Sequence, residues 1–255
     1  MAGVKPYYSP GSLSADFYDL VTAADARLAG DIEVYASLAA PGARVLELGA
    51  GSGRVALALA ALGFAVTGVD LARSMLDQAA ARRATLPEDA RGRLAFRLGD
   101  MTALDLKTAF DLVLCPYFAL AHLPLGTAWR NTFATATRHL AAGGLAAFHL
   151  PRLETMRAGR APDPEAVVFD EPASGGGRLQ LRLKSRVFRP EIGRLEQVID
   201  YAELDRAGRI VRRSAERLAL YMSDPETVAA AAGLVLDRPA IPLSGIGDIW
   251  VFRKA

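Results

Sequence analysis

The chain has 255 residues, 51% of them hydrophobic, enough to bury one sizeable core, and this favours a single α/β unit with an insertion over two independent domains. Its 30 basic and 28 acidic residues nearly cancel, to a net +2, and no block of like charge runs along it, which argues against a nucleic-acid partner. The single cysteine, Cys115, excludes an intrachain disulfide and a cysteine-cluster metal site, so no metal is expected, and it agrees with a reducing compartment.

The first dozen residues carry Tyr7, Tyr8 and Ser9 where a secretory signal needs an apolar block. Leu13, Phe17, Leu20, Ile32, Tyr35 and Leu38 recur at helical spacing up to Pro41-Gly42, predicting a helical lid over residues 1–42. Short β-rich runs then alternate with helical stretches. The runs are RVLEL (44–48), AVTGVD (65–70), LAFRLGD (94–100), FDLVLC (110–115) and GLAAFHL (144–150). Strands and helices in this rhythm imply right-handed βαβ units and a parallel sheet. The longest apolar stretch, Val55 to Val69, is broken by Gly63 and closed by Asp70, short of the roughly 20 residues of a membrane span. A cytoplasmic protein with no membrane partner is expected.

After Pro151 the rhythm changes. VVFD (167–170), RLQLRLKSRVF (178–188), RLEQVIDYAEL (194–204) and IVRRSAERLALYM (210–222) alternate apolar and polar positions between glycine turns, predicting an antiparallel meander inserted over 153–222. Its arginines, Arg178, Arg182, Arg186, Arg189 and Arg194, read as a solvated sheet face, with anion selection or a homodimer surface as the alternatives. A helix capped by Asp224 and stopped at Gly233 follows, and LVLDRPAI and DIWVFRK supply two last strands. The core is thus expected over 43–152 and 223–255.

The stretch Glu47-Leu48-Gly49-Ala50-Gly51-Ser52-Gly53-Arg54 runs a strand through a glycine turn into a helix. Glycines at alternate positions let the backbone turn sharply and a ligand approach closely, with amide groups at the helix start to meet a carboxylate or phosphate. A nicotinamide-binding turn places its third glycine one position later, where this chain has Arg54. Glu47 can accept a hydrogen bond from an ammonium or bound water. Asp70, at the end of the second strand, can accept both hydroxyls of a ribose, or act as a plain strand cap. Asp100 can accept an adenine amino group while Met101 packs on the ring, or Asp100 can be a turn residue.

ELGAGSGR, GVDLARSML, GDMTALDL, FDLVLCPYFALAHL and LAAGGLAAFHL, in that order over about residues 44–150, resemble the motifs of class I S-adenosylmethionine-dependent methyltransferases. Among chains with an antiparallel insertion after the fifth strand, the resemblance is to small-molecule N- and O-methyltransferases such as the glycine and aminosugar N-methyltransferases. It implies a Rossmann-like, seven-stranded, mostly parallel sheet with an N-terminal helical lid and an antiparallel β insertion after the fifth strand. It also implies S-adenosylmethionine as cofactor, with S-adenosylhomocysteine as product. Gly49, Gly51 and Gly53 would shape the methionine pocket, Asp70 would hold the ribose, Asp100 and Met101 would contact adenine, and Glu47, Ala50 and Leu71 would complete the cofactor-binding set. Cys115, Pro116 and Tyr117 would flank the transferring methyl. Met75 joins this set, with core packing as its other reading. Tyr18 is a cofactor or lid contact, or ordinary helix packing.

Methyl transfer from a sulfonium is an in-line displacement, for which alignment alone can supply roughly 7 to 11 kcal/mol. A general base is therefore optional for an amine and more useful for a hydroxyl. Tyr117 and Phe118 are expected to wall the substrate. His149, ending the fifth strand, and His122 are the candidate bases, each with a structural alternative, and His139 reads as a solvent-exposed helix residue. Cys115 reads as buried rather than nucleophilic. The function expected is N- or O-methylation of a small-molecule metabolite. The alternatives are a methyltransferase-like regulatory protein that keeps the cofactor without turnover and, disfavoured by the glycine spacing, a nicotinamide-dependent oxidoreductase.

Overall fold

The computed structural model of the chain describes residues 3–9, 11–159, 163–243, 245 and 247–255. Numbered in chain order, the strands are β1 (Lys5–Pro6), β2 (Arg44–Leu48), β3 (Ala65–Asp70), β4 (Leu94–Leu98), β5 (Phe110–Cys115), β6 (Leu140–Pro151), β7 (Val167–Pro172), β8 (Arg178–Arg189), β9 (Arg194–Leu204), β10 (Ile210–Tyr221), β11 (Leu234–Leu236), β12 (Ile241–Leu243) and β13 (Gly247–Lys254). The helices are α1 (Leu13–Asp16), α2 (Tyr18–Ala24), α3 (Asp31–Ser37), α4 (Arg54–Ala61), α5 (Arg73–Ala84), α6 (Glu88–Gly92), α7 (Thr127–His139), α8 (Leu153–Ala158) and α9 (Pro225–Ala231). Two compact units emerge, one of Arg27–Arg152 with Met222–Ala255, the other of Met1–Ala26 with Leu153–Tyr221.

The first unit is built on an eight-stranded sheet in the order β11-β13-β6-β5-β2-β3-β4, with β12 also on β13. Strands β2 to β6 pair in parallel, so Leu48, Asp70, Leu98, Cys115 and Pro151 all end at one edge. β13 runs antiparallel to β6, and β11 and β12 run antiparallel to β13. The sheet is thus mixed, with β2 to β6 paired in parallel and β11, β12 and β13 joined by antiparallel pairing. The predicted strand over 234–241 is in fact two short ones, β11 pairing with Phe252 to Lys254 and β12 with Gly247 to Ile249. Pro239 between them has no N–H to contribute to a ladder, so one sheet position is filled by two pieces.

Near-continuous apolar runs such as Val45-Leu46 and Leu112-Val113-Leu114 are fully buried, as strands covered on both faces must be. Val55, Ala56, Leu59 and Ala60 of α4 pack into the core with Tyr35, Leu94, Leu112 and Val251. Phe133 of α7 meets Phe148 of β6 at 4.3 Å between ring centroids and Phe252 of β13 edge-on. Contrary to expectation, His139 is buried: its Nε2 accepts the Leu106 N–H (2.9 Å), leaving Nδ1 to donate to the Thr135 carbonyl (2.8 Å). Two backbone partners hold it as a structural residue of the core.

The second unit is a five-stranded sheet, β1-β10-β9-β8-β7, in which β7 to β10 form the expected antiparallel meander and β1 adds in parallel to β10. Leu179, Leu181 and Tyr201 pack with Leu13 of α1 and with Phe17, Leu20 and Val21. The buried Glu216 carboxylate accepts the N–H groups of Leu13 (2.8 Å) and Ser14 (3.3 Å). The predicted helix over 13–40 is therefore divided, its first part in this unit and α3 in the other, with Gly30 (φ 87°) breaking it. The meander arginines mostly serve their own sheet. Arg178 donates to Asp170, Arg182 to Gln180, Arg186 to the carbonyls of Thr155 and Met156, and Arg194 to Glu196.

Candidate functional site

At the shared strand edge of the first unit, β2 ends in Glu47-Leu48 and the chain turns through Gly49 (φ 77°), Gly51 (φ 54°) and Gly53 (φ 83°) into α4. These left-handed conformations suit glycine and strain other residues. Space requires glycine as well. A Cβ on Gly49 would lie 2.6 Å from the Ala119 Cβ and 3.3 Å from Met101 Cε, and one on Gly53 would lie 2.7 Å from the Phe96 ring. Gly49 is thus where the segments after β2, β4 and β5 meet.

The amides of this turn are largely spent on the protein itself. Gly49 and Ala50 donate to the Val69 carbonyl (2.8 and 3.0 Å), Gly53 to the Ala50 carbonyl (2.8 Å) and Gly51 to Asp70 Oδ2 (2.8 Å). Asp70 holds the turn, since its Oδ1 also accepts the Ala72 N–H (2.8 Å). Beside it Leu71 is 71% exposed, a large apolar side chain with no protein cover. Asp100 Oδ1 accepts both the N–H and the hydroxyl of Thr102 (2.8 Å each), a turn arrangement on an exposed residue that leaves Oδ2 facing solvent. Met101 is half-buried against Gly49, whereas Met75 is buried on α5 together with Leu76 and Ala79.

Beneath the turn lies a buried polar cluster. Glu47 is 1% exposed, its Oε2 has no hydrogen-bond partner among the described residues, and the Ala56 N–H of α4 is its backbone donor. Burial pushes its carboxyl up to about 8 against the pull of Arg54. Arg54 itself is committed: its guanidinium grips both carboxylate oxygens of Asp31, on α3. One turn on, Tyr35 is buried with an unpartnered hydroxyl and its pKa raised well above the ordinary value, first by burial and then by Asp31. Sequence reasoning missed this cluster except for Glu47. The available signal was a bulky Arg54 at a helix start, which needs an anion somewhere to meet it.

After β5, Cys115 and Pro116 are buried, and burial pushes the thiol up to about 12, so Cys115 is no nucleophile near neutrality. Tyr117 (φ 44°) and Phe118 (φ 62°) are consecutive left-handed residues with bulky side chains, a costly conformation of the kind that gathers at functional sites. The turn is held from β6: the Phe118 N–H donates to the His149 carbonyl (3.1 Å), and the Phe118 ring lies on the His149 imidazole at 4.7 Å and on the Tyr117 ring at 5.7 Å. Gly247 of β13 makes room for it, since a Cβ there would stand 2.6 Å from Phe118 Cε1 and 2.8 Å from His149 Nε2. Neither Phe118's backbone nor Gly247 could be singled out beforehand.

His149 is fully buried, with both ring nitrogens unpartnered among the described residues. Burial drives its pKa down to about 4, and desolvation does the same to His122 in the turn after Phe118. Both rings are therefore neutral at physiological pH. Tyr18 lies in the other unit, on α2, edge-on to Tyr8 at 5.6 Å. Among the described residues, no group of three His, Cys, Asp or Glu comes together as a metal site, and no helix is long and apolar enough to cross a membrane.

Residues 45–144 match a family model described as a methyltransferase domain. A curated protein of Geobacillus sp. (strain WCH70), provisionally named a methyltransferase, is 35% identical over 105 residues, a match spanning 41% of each chain. Among solved structures, the CcbJ methyltransferase of Streptomyces caelestis is 24% identical, with a TM-score of 0.71 over 95% of this chain and 96% of that one. CalS10, an amino pentose methyltransferase from Micromonospora echinaspora solved with S-adenosylmethionine bound, is 21% identical, with a TM-score of 0.68 over 97% and 100%. At these identities the two structures show a shared fold.

Proposed function

We propose, from the match of residues 45–144 to a methyltransferase-domain model and from the fold shared with solved methyltransferases, that the chain is a class I S-adenosylmethionine-dependent methyltransferase that methylates a nitrogen or oxygen of a small-molecule metabolite. The carrying observation is the cradle at Gly49, closed to any larger residue and rimmed by unfilled valences of the kinds an adenosyl amino acid needs. Asp100 Oδ2 is an open acceptor for an adenine amino group, Leu71 and Met101 offer apolar faces to the ring, and Asp70 keeps lone pairs for a ribose. Glu47 has an unused oxygen for an ammonium. Ala50, Gly51 and Gly53 shape the wall, Cys115, Pro116 and Tyr117 border the methyl, and Met75 serves the core behind them.

When bound, the cofactor supplies an electrophilic methyl on a sulfonium. The chain's part is to orient the acceptor and exclude water, and the braced Tyr117-Phe118 turn suits that role. His122 and His149, neutral and weakly basic, would act as acceptors of a hydrogen bond rather than as strong bases. That favours an acceptor needing no strong base, an amine reacting in its free form. Tyr18 is retained as a cofactor or lid contact. The metabolite would be met in the cytoplasm, with the meander sheet as substrate cover or homodimer surface.

Isothermal titration with S-adenosylmethionine and, separately, NAD tests the cofactor, with binding of the first alone expected. Turnover against a panel of amines and phenols tests the reaction. Cofactor binding without turnover on any of them would favour a regulatory protein.

A further inference from the structure

Glu47 is a carboxyl group with nowhere to put a negative charge. It is enclosed, one oxygen has no partner among the described residues, and its backbone donor is the Ala56 N–H alone. The cation beside it, Arg54, is already held by both oxygens of Asp31. The other groups facing it bring no compensating positive charge: Asp70 on β3 and Asp31 on α3 oppose its ionisation as like charges, while Tyr35 on α3 and Cys115 on β5 are neutral acids that burial keeps protonated. A buried charge without a partner is costly enough that such a group takes a proton instead.

We propose that Glu47 is a neutral acid in the ligand-free protein and gives up its proton when the ammonium of the cofactor's amino-acid end docks beside it. The inference rests on the cofactor reading above and adds a proton to it. The balance is simple: the Glu47 O–H bond breaks, the proton goes to solvent, and the carboxylate left behind pairs with the incoming ammonium, which keeps all its protons. The raised Glu47 carboxyl, at about 8, places this exchange across neutrality. Below that value affinity rises with pH, because each unit spares the ligand more of the work of deprotonation. Above it the dependence levels off.

The probe is S-adenosylhomocysteine, which carries the same ammonium. Calorimetric titration in two buffers of different ionisation enthalpy counts the protons released. Expected are about one proton released per ligand bound near pH 7 and an affinity rising about tenfold per unit between pH 6 and 7.5. 5′-Methylthioadenosine, which lacks the amino-acid end, should release none, and Glu47→Gln should bind S-adenosylhomocysteine with no proton release and flat affinity. Release of no proton by the wild type, or of a full proton by Glu47→Gln, overturns the proposal while leaving the cofactor assignment standing. Failure of the wild type to bind either ligand at any pH overturns both. The wild-type comparison of the two ligands decides the matter even where the variant folds poorly.

Discussion

Asp70 does two jobs with one carboxylate. Because it accepts the Gly51 and Ala72 amides, Asp70→Ala should both loosen the glycine turn and remove the proposed ribose acceptor. A loss of about 1 to 3 kcal/mol in S-adenosylmethionine binding is expected by calorimetry. Asp70→Asn, which keeps one acceptor oxygen, should recover part of it. Glu47 makes a prediction about stability. Its folded pKa, about 8, lies above its value of 4.5 when exposed, so the folded state holds an extra proton between these limits and stability is lost as pH rises through them. His122 and His149 are shifted the other way, from 6.5 down to about 4, so they favour the folded state above 6.5 and withdraw that support as the pH falls towards 4. Between pH 6.5 and 8 only Glu47 of these three is still changing its balance. Denaturant melts of the wild type should weaken by about 2 kcal/mol over that interval, and those of Glu47→Gln should not.

At the scale of elements, the glycine turn and α4 are set by contacts that tolerate little. Gly49→Ala forces a Cβ into Ala119 at a φ of 77°, and about 1 to 3 kcal/mol of strain is expected, read as a lowered melting temperature with cofactor binding lost. Arg54→Ala strips the partner from the buried Asp31 and should cost about 3 to 5 kcal/mol in denaturant unfolding. These elements differ in how openly the chain announces them. Glu47 through Gly53 and Asp70 were legible because strand, turn and cap are written in adjacent residues. The Asp31 to Arg54 pair was not, because each residue alone is an ordinary helix charge and only the fold brings them together. The left-handed backbone at Tyr117 and Phe118 had no glycine or asparagine to signal it. His139 was misread because its decisive partner, the Leu106 N–H, comes from a loop. Pro239 was in plain view, and its consequence for the last edge strand follows from its missing N–H.

Across the whole molecule, the parallel order β4-β3-β2-β5-β6 followed from alternation of strand and helix, and the meander from alternation of apolar and polar positions. The assignment of residues 1–26 to the meander unit followed from neither, since it depends on β1 beside β10 and on Glu216 reaching Leu13. Glu216→Ala should release that grip, leaving the strand pairing and the apolar contacts of Leu13. Hydrogen exchange of the Leu13 and Ser14 amides should quicken selectively, with the amides of β2 to β6 unchanged.

The same grip sets a timetable. A ribosome makes Leu13 long before Glu216, and at about 5 to 20 residues per second the two are separated by some tens of seconds at the slowest rates. Throughout that wait Leu13, Phe17 and Leu20 have no sheet to cover them, and neighbouring core strands emerge in the meantime. The nascent chain must therefore keep the stretch from Leu13 to Leu20 uncommitted, an apolar segment held in reserve until the meander arrives to receive it.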